Sequence, residues 1–145
     1  MLPTFDSITG YLPPGVHPAL WVEVAQRFGE NSHRLRQLNG LLTALYNLAA
    51  AGCRAILLDG SFVSTKVLPG DYDGAWETHG VDPDLLDPVL LDFGNGGAAM
   101  KAKYGGELFP GSAMPAPGIL YRDFFQRDRN GVPKGVVTID LGNLP

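Results

Sequence analysis

Two aspartates two positions apart, Asp71 and Asp73, are the residues of this chain whose types and spacing best suit metal chemistry. They open a segment, 71–77, whose pattern predicts a β-strand, and side chains two positions apart on a strand lie on the same face. Two carboxylates on one face can reach the same hard cation, and Mg²⁺ usually takes one or two carboxylates and completes its shell with water or phosphate oxygens. The spacing therefore predicts a site for Mg²⁺, or for Mn²⁺, at the start of this strand.

Gly60, Ser61 and Lys66 precede the aspartates and are candidates for holding a phosphate chain. A glycine at the end of a strand lets a phosphate approach the backbone, and the Ser61 hydroxyl and nearby N–H groups can donate to its oxygens. Phosphoryl transfer depends mostly on positioning and charge neutralisation, so metal, serine and lysine form a minimal set for it. The alternative is a solvated turn, because Asp-x-Asp beside Pro-Gly is also common in turns.

The elements that must position these residues are predicted from hydrophobic spacing and from turn residues. An extended arm is expected over 1–16, where prolines and glycines exclude a helix. The elements predicted after the arm are a helix over 18–28, a longer helix capped by Asn31 or Ser32 that ends before Gly52, strands over 54–59 and 71–77, a helix over 82–93 interrupted at Pro88, a loop over 94–97, a helical turn over 98–104, a strand over 106–109, an irregular surface loop over 111–118, a turn over 129–131 and a strand over 136–141. Segment 119–125 is compatible with helix or strand.

Length and composition limit the class of protein. The 145 residues suit one domain, and 45% hydrophobic with 18% charged residues is a globular composition. A net charge of −4 argues against extended DNA binding, whereas a nucleotide carried with magnesium is acceptable. The single cysteine, Cys53, cannot form an internal disulfide, and neither a signal peptide nor a membrane-length apolar run is visible. A cytoplasmic protein without membrane association is therefore expected.

Two groups of polar residues are expected on the surface. The outer face of the long helix should be solvated, and its members are Arg34, Arg36, Gln37, Asn39 and Asn47. A basic group near the C-terminus is compatible with a solvated surface or with a contact to phosphate or RNA, and its members are Arg122, Arg127, Arg129 and Lys134. Tyr72 and Trp76 alternate with the aspartates and should face the core.

A Gly-Ser pair after an apolar strand, followed by Asp-x-Asp at the start of a second strand, resembles the signature of the DNA polymerase β-like nucleotidyltransferase superfamily. Over nearly its whole length the chain resembles more closely the DUF6932 family of small nucleotidyltransferase-like proteins. The segments that carry this resemblance are 10–17, Arg27-Phe28-Gly29, Asp59-Gly60-Ser61-Phe62-Val63, Lys66, Pro69, Asp71-Tyr72-Asp73-Gly74, Phe124-Phe125 and Lys134-Gly135.

The resemblance implies a minimal α+β nucleotidyltransferase-like domain over 1–145, with a mixed β-sheet flanked by helices. It further implies a metal ion on Asp71 and Asp73 and a nucleoside triphosphate over Gly60 and Ser61. Active superfamily members usually add a third carboxylate from a later strand. The order of elements favours Glu107 for this third acid, and Asp140 is the alternative.

Two functions are compatible with this resemblance. The first is an Mg²⁺-dependent enzyme that transfers a nucleotidyl group from a nucleoside triphosphate to a hydroxyl of an RNA, a protein or a small molecule. The second is a weakly active or inactive binding module that acts through a protein partner, because the chain lacks the additional helical domain of larger superfamily members. An antitoxin-like partner, in a toxin–antitoxin or phage-defence setting, is expected by analogy alone.

Overall fold

A five-stranded mixed sheet organises the chain in the computed structural model, which describes residues 1–112 and 117–145. The strands are β1 (Gly15–Ala19), β2 (Ala55–Asp59), β3 (Tyr72–Trp76), β4 (Gly106–Pro110) and β5 (Gly135–Asp140). Their order across the sheet is β1-β5-β2-β3-β4. Strand β2 runs antiparallel to β3 and β5, whereas the pairs β1–β5 and β3–β4 are parallel. The predicted α+β fold with a mixed sheet in one small domain is confirmed.

Helices cover the two faces of the sheet unequally. The α-helices are α1 (Trp21–Phe28), α2 (Ser32–Ala50), α3 (Gly94–Tyr104) and α4 (Tyr121–Phe124), and short 3₁₀ helices span Pro83–Leu85, Pro88–Leu91 and Leu141–Asn143. Helices α1, α2 and α3 bury their apolar residues with those of one sheet face in the main core. The opposite face carries a smaller apolar cluster with residues of α4. We call this second face the open face.

Several predicted elements differ from the structure. The helix expected from Pro18 begins only at Trp21, because Pro18 belongs to β1, an edge strand, where a missing N–H donor is tolerated. The helix expected over 82–93 is instead two 3₁₀ turns. Asp82 and Asp87 each cap a separate turn, which explains the interruption. The loop predicted over 111–118 falls partly on residues 113–116, which lie outside the described residues.

The predicted solvation of the long helix is wrong at two positions, Arg34 and Gln37. Both side chains are buried, although Arg36 on the same helix is exposed. The Arg34 guanidinium donates to the carbonyl oxygens of Phe28, Phe62, Ser64 and Lys66. The Gln37 amide donates to the carbonyl oxygens of Pro69 and Gly70. Helix α2 therefore holds the 62–70 loop with polar side chains that burial would otherwise penalise.

Candidate functional site

Three carboxylates lie side by side across three neighbouring strands. Asp59 at the end of β2 is opposite Asp73 on β3, and Asp73 is beside Glu107 on β4. Directly paired residues of neighbouring strands project from the same face, with Cβ atoms about 5 Å apart in antiparallel pairs. This acidic row therefore crosses the open face at one end of the sheet. The structure brings together two of the residues predicted for the metal, Asp73 and Glu107.

Asp71, just before β3, joins this group through Lys101 of α3. The Lys101 ammonium lies 3.1 Å from Glu107 Oε1 and 3.9 Å from Asp71 Oδ2. Its hydrogen bond to Glu107, with the charges of Glu107 and Asp71, raises the pKa of Lys101. The Asp71 side chain is partly exposed, at 43%. Glu107, the predicted third acid, and Asp71 thus face the same ammonium group, that of Lys101.

Asp59 is buried and pairs with Lys134, whose ammonium lies 3.2 Å from Asp59 Oδ1. Among the described residues this oxygen has no aligned hydrogen-bond donor, so the contact is an ion pair. Burial raises the pKa of Asp59, and Lys134 opposes that shift. Lys134, predicted within a basic group near the C-terminus, is therefore a half-buried partner of the acidic row.

Asp73 lies in the centre of the row, between the negative charges of Asp59 and Glu107. Burial, followed by the charges of Asp59 and Glu107, raises the pKa of Asp73 to about 6, while Lys134 opposes the shift. Like charges nearby disfavour an ionised carboxylate, and a bound cation would favour it. The row thus has the electrostatic character of a cation site.

Two glycines allow the backbone to approach these carboxylates. Gly60 has a φ of +91°, and a Cβ there would lie 3.0 Å from both the backbone N and Oδ2 of Asp73. Gly97 has a φ of +76°, and a Cβ there would lie 2.5 Å from Glu107 Oε2. Any other residue would be strained at both positions and would crowd the acids. Glycines in the turn after β2 and at the start of α3 therefore let the backbone lie close to the acidic row.

Ser61 and Lys66 lie in the loop that Arg34 holds. Ser64 Oγ donates to the Ser61 carbonyl at 2.5 Å and accepts from the Lys66 N–H at 3.1 Å. Ser61 directly follows Gly60 and is half-buried, which places it beside the row. Lys66 is exposed, and its hydrogen bonds in the described structure use its backbone. The structure thus brings Gly60 to the acids, whereas among the described residues the Lys66 ammonium forms no contact with them.

Asp140, the alternative third acid, lies at the other end of the sheet. It is opposite Ala55 at the start of β2, four residues and therefore about 13 Å along that strand from Asp59. Its carboxylate accepts from the Gly142 N–H at 2.8 Å and closes the last turn of the chain. A cavity of about 810 Å³ adjoins Asp140 and does not include the acidic row. Of the two candidates, only Glu107 is placed with Asp71 and Asp73.

The donor chemistry of the row fits a hard divalent cation, within limits. All its donors are carboxylate oxygens, and one of them, Asp59 Oδ1, already forms an ion pair with Lys134. In the described ranges, however, no group of three or more His, Cys, Asp or Glu side chains could hold a metal ion. A site for Mg²⁺ would therefore depend on one or two carboxylates, with water and substrate phosphates as the other ligands. The arrangement fits a metal that Asp71 and Asp73 would share with a phosphate-bearing ligand.

Residues 3–140 match the model of one protein family, described as a family of unknown function, DUF6932. The chain belongs to DUF6932. The family description names no activity, so the relationship of this DUF6932 protein to nucleotidyltransferases stays a prediction. The comparison with curated proteins and the comparison with solved structures each found no match. Among the described helices, none combines the length and apolarity required to cross a membrane.

Sequence reasoning did not assign Asp59, Lys101 or Arg34 to the site. One local feature could have assigned Asp59 to the site, because it is a charged residue that ends an otherwise apolar strand directly before Gly60. No local feature could have assigned Lys101, because its contact with Glu107 depends on how α3 packs against β4. Arg34 resembled the other polar residues of its helix. Each of these side chains became informative only through non-local contacts.

Proposed function

We propose that this DUF6932 protein is an Mg²⁺-dependent nucleotidyltransferase that moves a nucleotidyl group from a nucleoside triphosphate to a hydroxyl of an RNA, a protein or a small molecule. The observation that carries the proposal is the acidic row on one sheet face, with Asp71 beside it and the Gly60 turn against Asp73. Phosphoryl-group transfer needs little more from a protein than positioned charge. This site concentrates such charge beside an approachable backbone.

The chain's own residues have distinct roles in this proposal. Asp71 and Asp73 hold the cation, Mg²⁺ or Mn²⁺, and Glu107 completes the acidic side of the site. Gly60 and Ser61 present backbone N–H groups and a hydroxyl to the phosphates. When bound, the metal neutralises phosphate charge and polarises the phosphoryl oxygens. The acceptor hydroxyl releases its proton to solvent water as its oxygen forms a bond to the α-phosphorus, the bond from that phosphorus to the bridging oxygen of the β-phosphate breaks, and pyrophosphate leaves.

A labelling experiment tests this proposal. The wild-type protein is incubated with each α-labelled nucleoside triphosphate, Mg²⁺ and cell extract, and we expect a labelled acceptor with at least one nucleotide. The Asp71→Asn/Asp73→Asn double variant should remain folded by circular dichroism and should give no label. Asp140→Asn is the matched control, because this acid lies at the far end of the sheet, and it should label normally. Equal labelling by the wild type and the double variant would refute the proposal.

A second candidate function, a binding or regulatory module, is favoured by one observation. Lys101 and Lys134 already pair with Glu107 and Asp59, so part of the acidic row is neutralised within the chain itself. In that case the protein would act through a partner, for which an antitoxin-like protein is the analogy-based candidate. Calorimetry with ATP and Mg²⁺ separates the two functions. Magnesium-dependent binding supports the enzyme, and a folded protein that binds no nucleotide supports the module.

A further inference from the structure

Three aromatic rings lie in a nearly parallel stack beside the acidic row. We define the aromatic stack as Phe93, Phe109 and Tyr121. The Phe93 and Phe109 ring centroids are 6.1 Å apart at an interplanar angle of 14°. The Phe109 and Tyr121 centroids are 5.2 Å apart at 10°. The three ring planes are therefore nearly parallel, and Tyr121 also packs on Phe124 and Phe125.

This geometry differs from that of the aromatic pairs in the main core. There Phe5 packs on Phe28 at 65°, Phe62 packs on Tyr72 at 69°, and Phe28 packs on Phe62 at 43°. Edge-to-face and offset-stacked packing are both common among aromatic rings in proteins. The aromatic stack instead has parallel planes, and Phe93 at its end is 43% exposed. A parallel and partly exposed stack is suited to receive another flat ring.

The aromatic stack is continuous with the acidic row. Phe109 follows Glu107 by two residues on β4, so both side chains lie on the open face about 7 Å apart along the strand. Tyr121 stacks on Phe109, and burial, followed by the charge of Glu107, raises the pKa of the Tyr121 hydroxyl. A groove of about 420 Å³ lies beyond Tyr121, and its lining includes neither the acidic row nor Phe93. The spacing of about 7 Å between Glu107 and Phe109 along β4 brings the stack within reach of a ligand whose phosphates lie at the acids.

We propose that the aromatic stack binds the heteroaromatic base of a nucleotide whose phosphates lie at the acidic row. This inference rests on the proposed function and adds the position of the base to it. Stacking on aromatic rings does not depend on which base is present, because every base has a π-face. The protein is therefore expected to bind purine and pyrimidine triphosphates with similar affinity, and to bind a triphosphate without a base more weakly.

Calorimetry with three probes tests this assignment. The probes are ATP with Mg²⁺, inorganic triphosphate with Mg²⁺, and adenosine alone. Phe93→Ala should weaken ATP binding about tenfold, within the range found when one stacking side chain is removed. It should leave the binding of inorganic triphosphate unchanged. Phe93→Trp should retain ATP binding, since a larger ring replaces the first.

Leu91→Ala is the matched control, because Leu91 is also 43% exposed and lies two residues before Phe93. It removes a similar apolar surface without removing a ring, and it should leave ATP binding unchanged. Equal weakening by Leu91→Ala and Phe93→Ala would overturn the inference. So would wild-type protein that binds inorganic triphosphate as tightly as ATP. Unchanged ATP binding by Phe93→Ala would also overturn the inference.

The results also separate this inference from the proposed function. If the wild type binds ATP in a Phe93-dependent way but labels no acceptor, the proposed function fails and the base site stands. If the wild type labels an acceptor and Phe93→Ala binds ATP normally, the base site fails and the proposed function stands. If neither ATP nor adenosine binds to the folded protein, both are overturned.

Discussion

Replacing Arg34 by methionine should destabilise the protein more than any comparable change on the same helix. Arg34 is fully buried, at 0% exposure, and its guanidinium serves carbonyl oxygens from two separate segments of the chain. The carboxylate of Glu30 lies 3.8 Å from Arg34 Nε and is 59% exposed. Backbone carbonyl dipoles therefore supply most of the compensation for this buried charge. Methionine has a similar length and removes every donor.

The magnitude follows from the acceptors that lose their donor. A buried acceptor left unsatisfied costs about 1–3 kcal/mol. The carbonyls of Phe28 and Phe62 belong to buried residues, whereas the loop around Lys66 is exposed, so water can reach the outer acceptors. Removing the buried guanidinium also removes the desolvation cost of its charge, which offsets part of the loss in the free energy of unfolding. We therefore expect a net loss of about 3–4 kcal/mol, a large fraction of the roughly 5–15 kcal/mol that holds a domain folded.

Urea unfolding, followed by circular dichroism and by tryptophan fluorescence, measures this loss. With the slope usual for a small domain, the unfolding midpoint of Arg34→Met should fall by about 2 M. Arg34→Lys should recover less than half of the loss, because one ammonium group cannot reach acceptors spread over both segments. Arg36→Met is the control, since Arg36 is exposed on the same helix. If the free energies of unfolding of Arg34→Met and Arg36→Met differ by less than about 0.5 kcal/mol, a typical scatter for surface substitutions, Arg34 does not anchor the 62–66 loop.

Two further predictions concern ion pairs. Hydrogen bonds from Lys103 and Tyr104 lower the pKa of Asp87 to about 2 in the folded protein. The ionised Asp87 therefore stabilises the fold above the pKa of about 4 that it has in the unfolded chain. This contribution disappears as the pH falls through about 2. Between pH 4 and pH 2 the wild type should therefore lose about 1 kcal/mol more stability than Asp87→Asn in urea titrations, and parallel pH profiles would contradict this. Lys134→Met leaves Asp59 buried and unpaired, so it should destabilise the protein by about 3 kcal/mol, whereas adding Asp59→Asn should restore part of that loss. Additive effects in this double-mutant cycle would show that the pair is not coupled.

The sequence predicted the elements with strong local signals and missed those set by tertiary contacts. The spacing of leucines and the Asn31 cap located α2, and the apolar run of β2 located that strand. Arg34 was misplaced because helical periodicity identifies a polar stripe but cannot show that the 62–66 loop covers part of it. Pro18 was assigned to a helix because the local rule for proline at the first turn does not include the alternative of an edge strand.

The candidate site also has features that the local sequence predicts and features that depend on tertiary contacts. The Asp71–Asp73 spacing is a local property, and strand alternation was sufficient to place both residues on one face. Asp59 was missed because its position opposite Asp73 depends on the register between β2 and β3, which a single sequence does not specify. Glu107 was chosen over Asp140 by the order of elements that the resemblance implies. The structure places Glu107 beside Asp73 because β4 pairs in parallel with β3.

The proposed cation-dependent role and a purely structural role of the acidic row predict different effects of replacing Asp73. Four carboxylates of the described chain, those of Asp59, Asp71, Asp73 and Glu107, face two ammonium groups, those of Lys101 and Lys134. Two lysines cannot neutralise four carboxylates, and the charge that remains equals that of one divalent cation. A purely structural role would require the acids to stabilise the fold, whereas like charges on paired strands destabilise a sheet. Asp73→Asn should therefore raise the stability of the metal-free protein while weakening Mg²⁺-dependent nucleotide binding, and a variant that loses stability without any change in binding would instead favour the structural role.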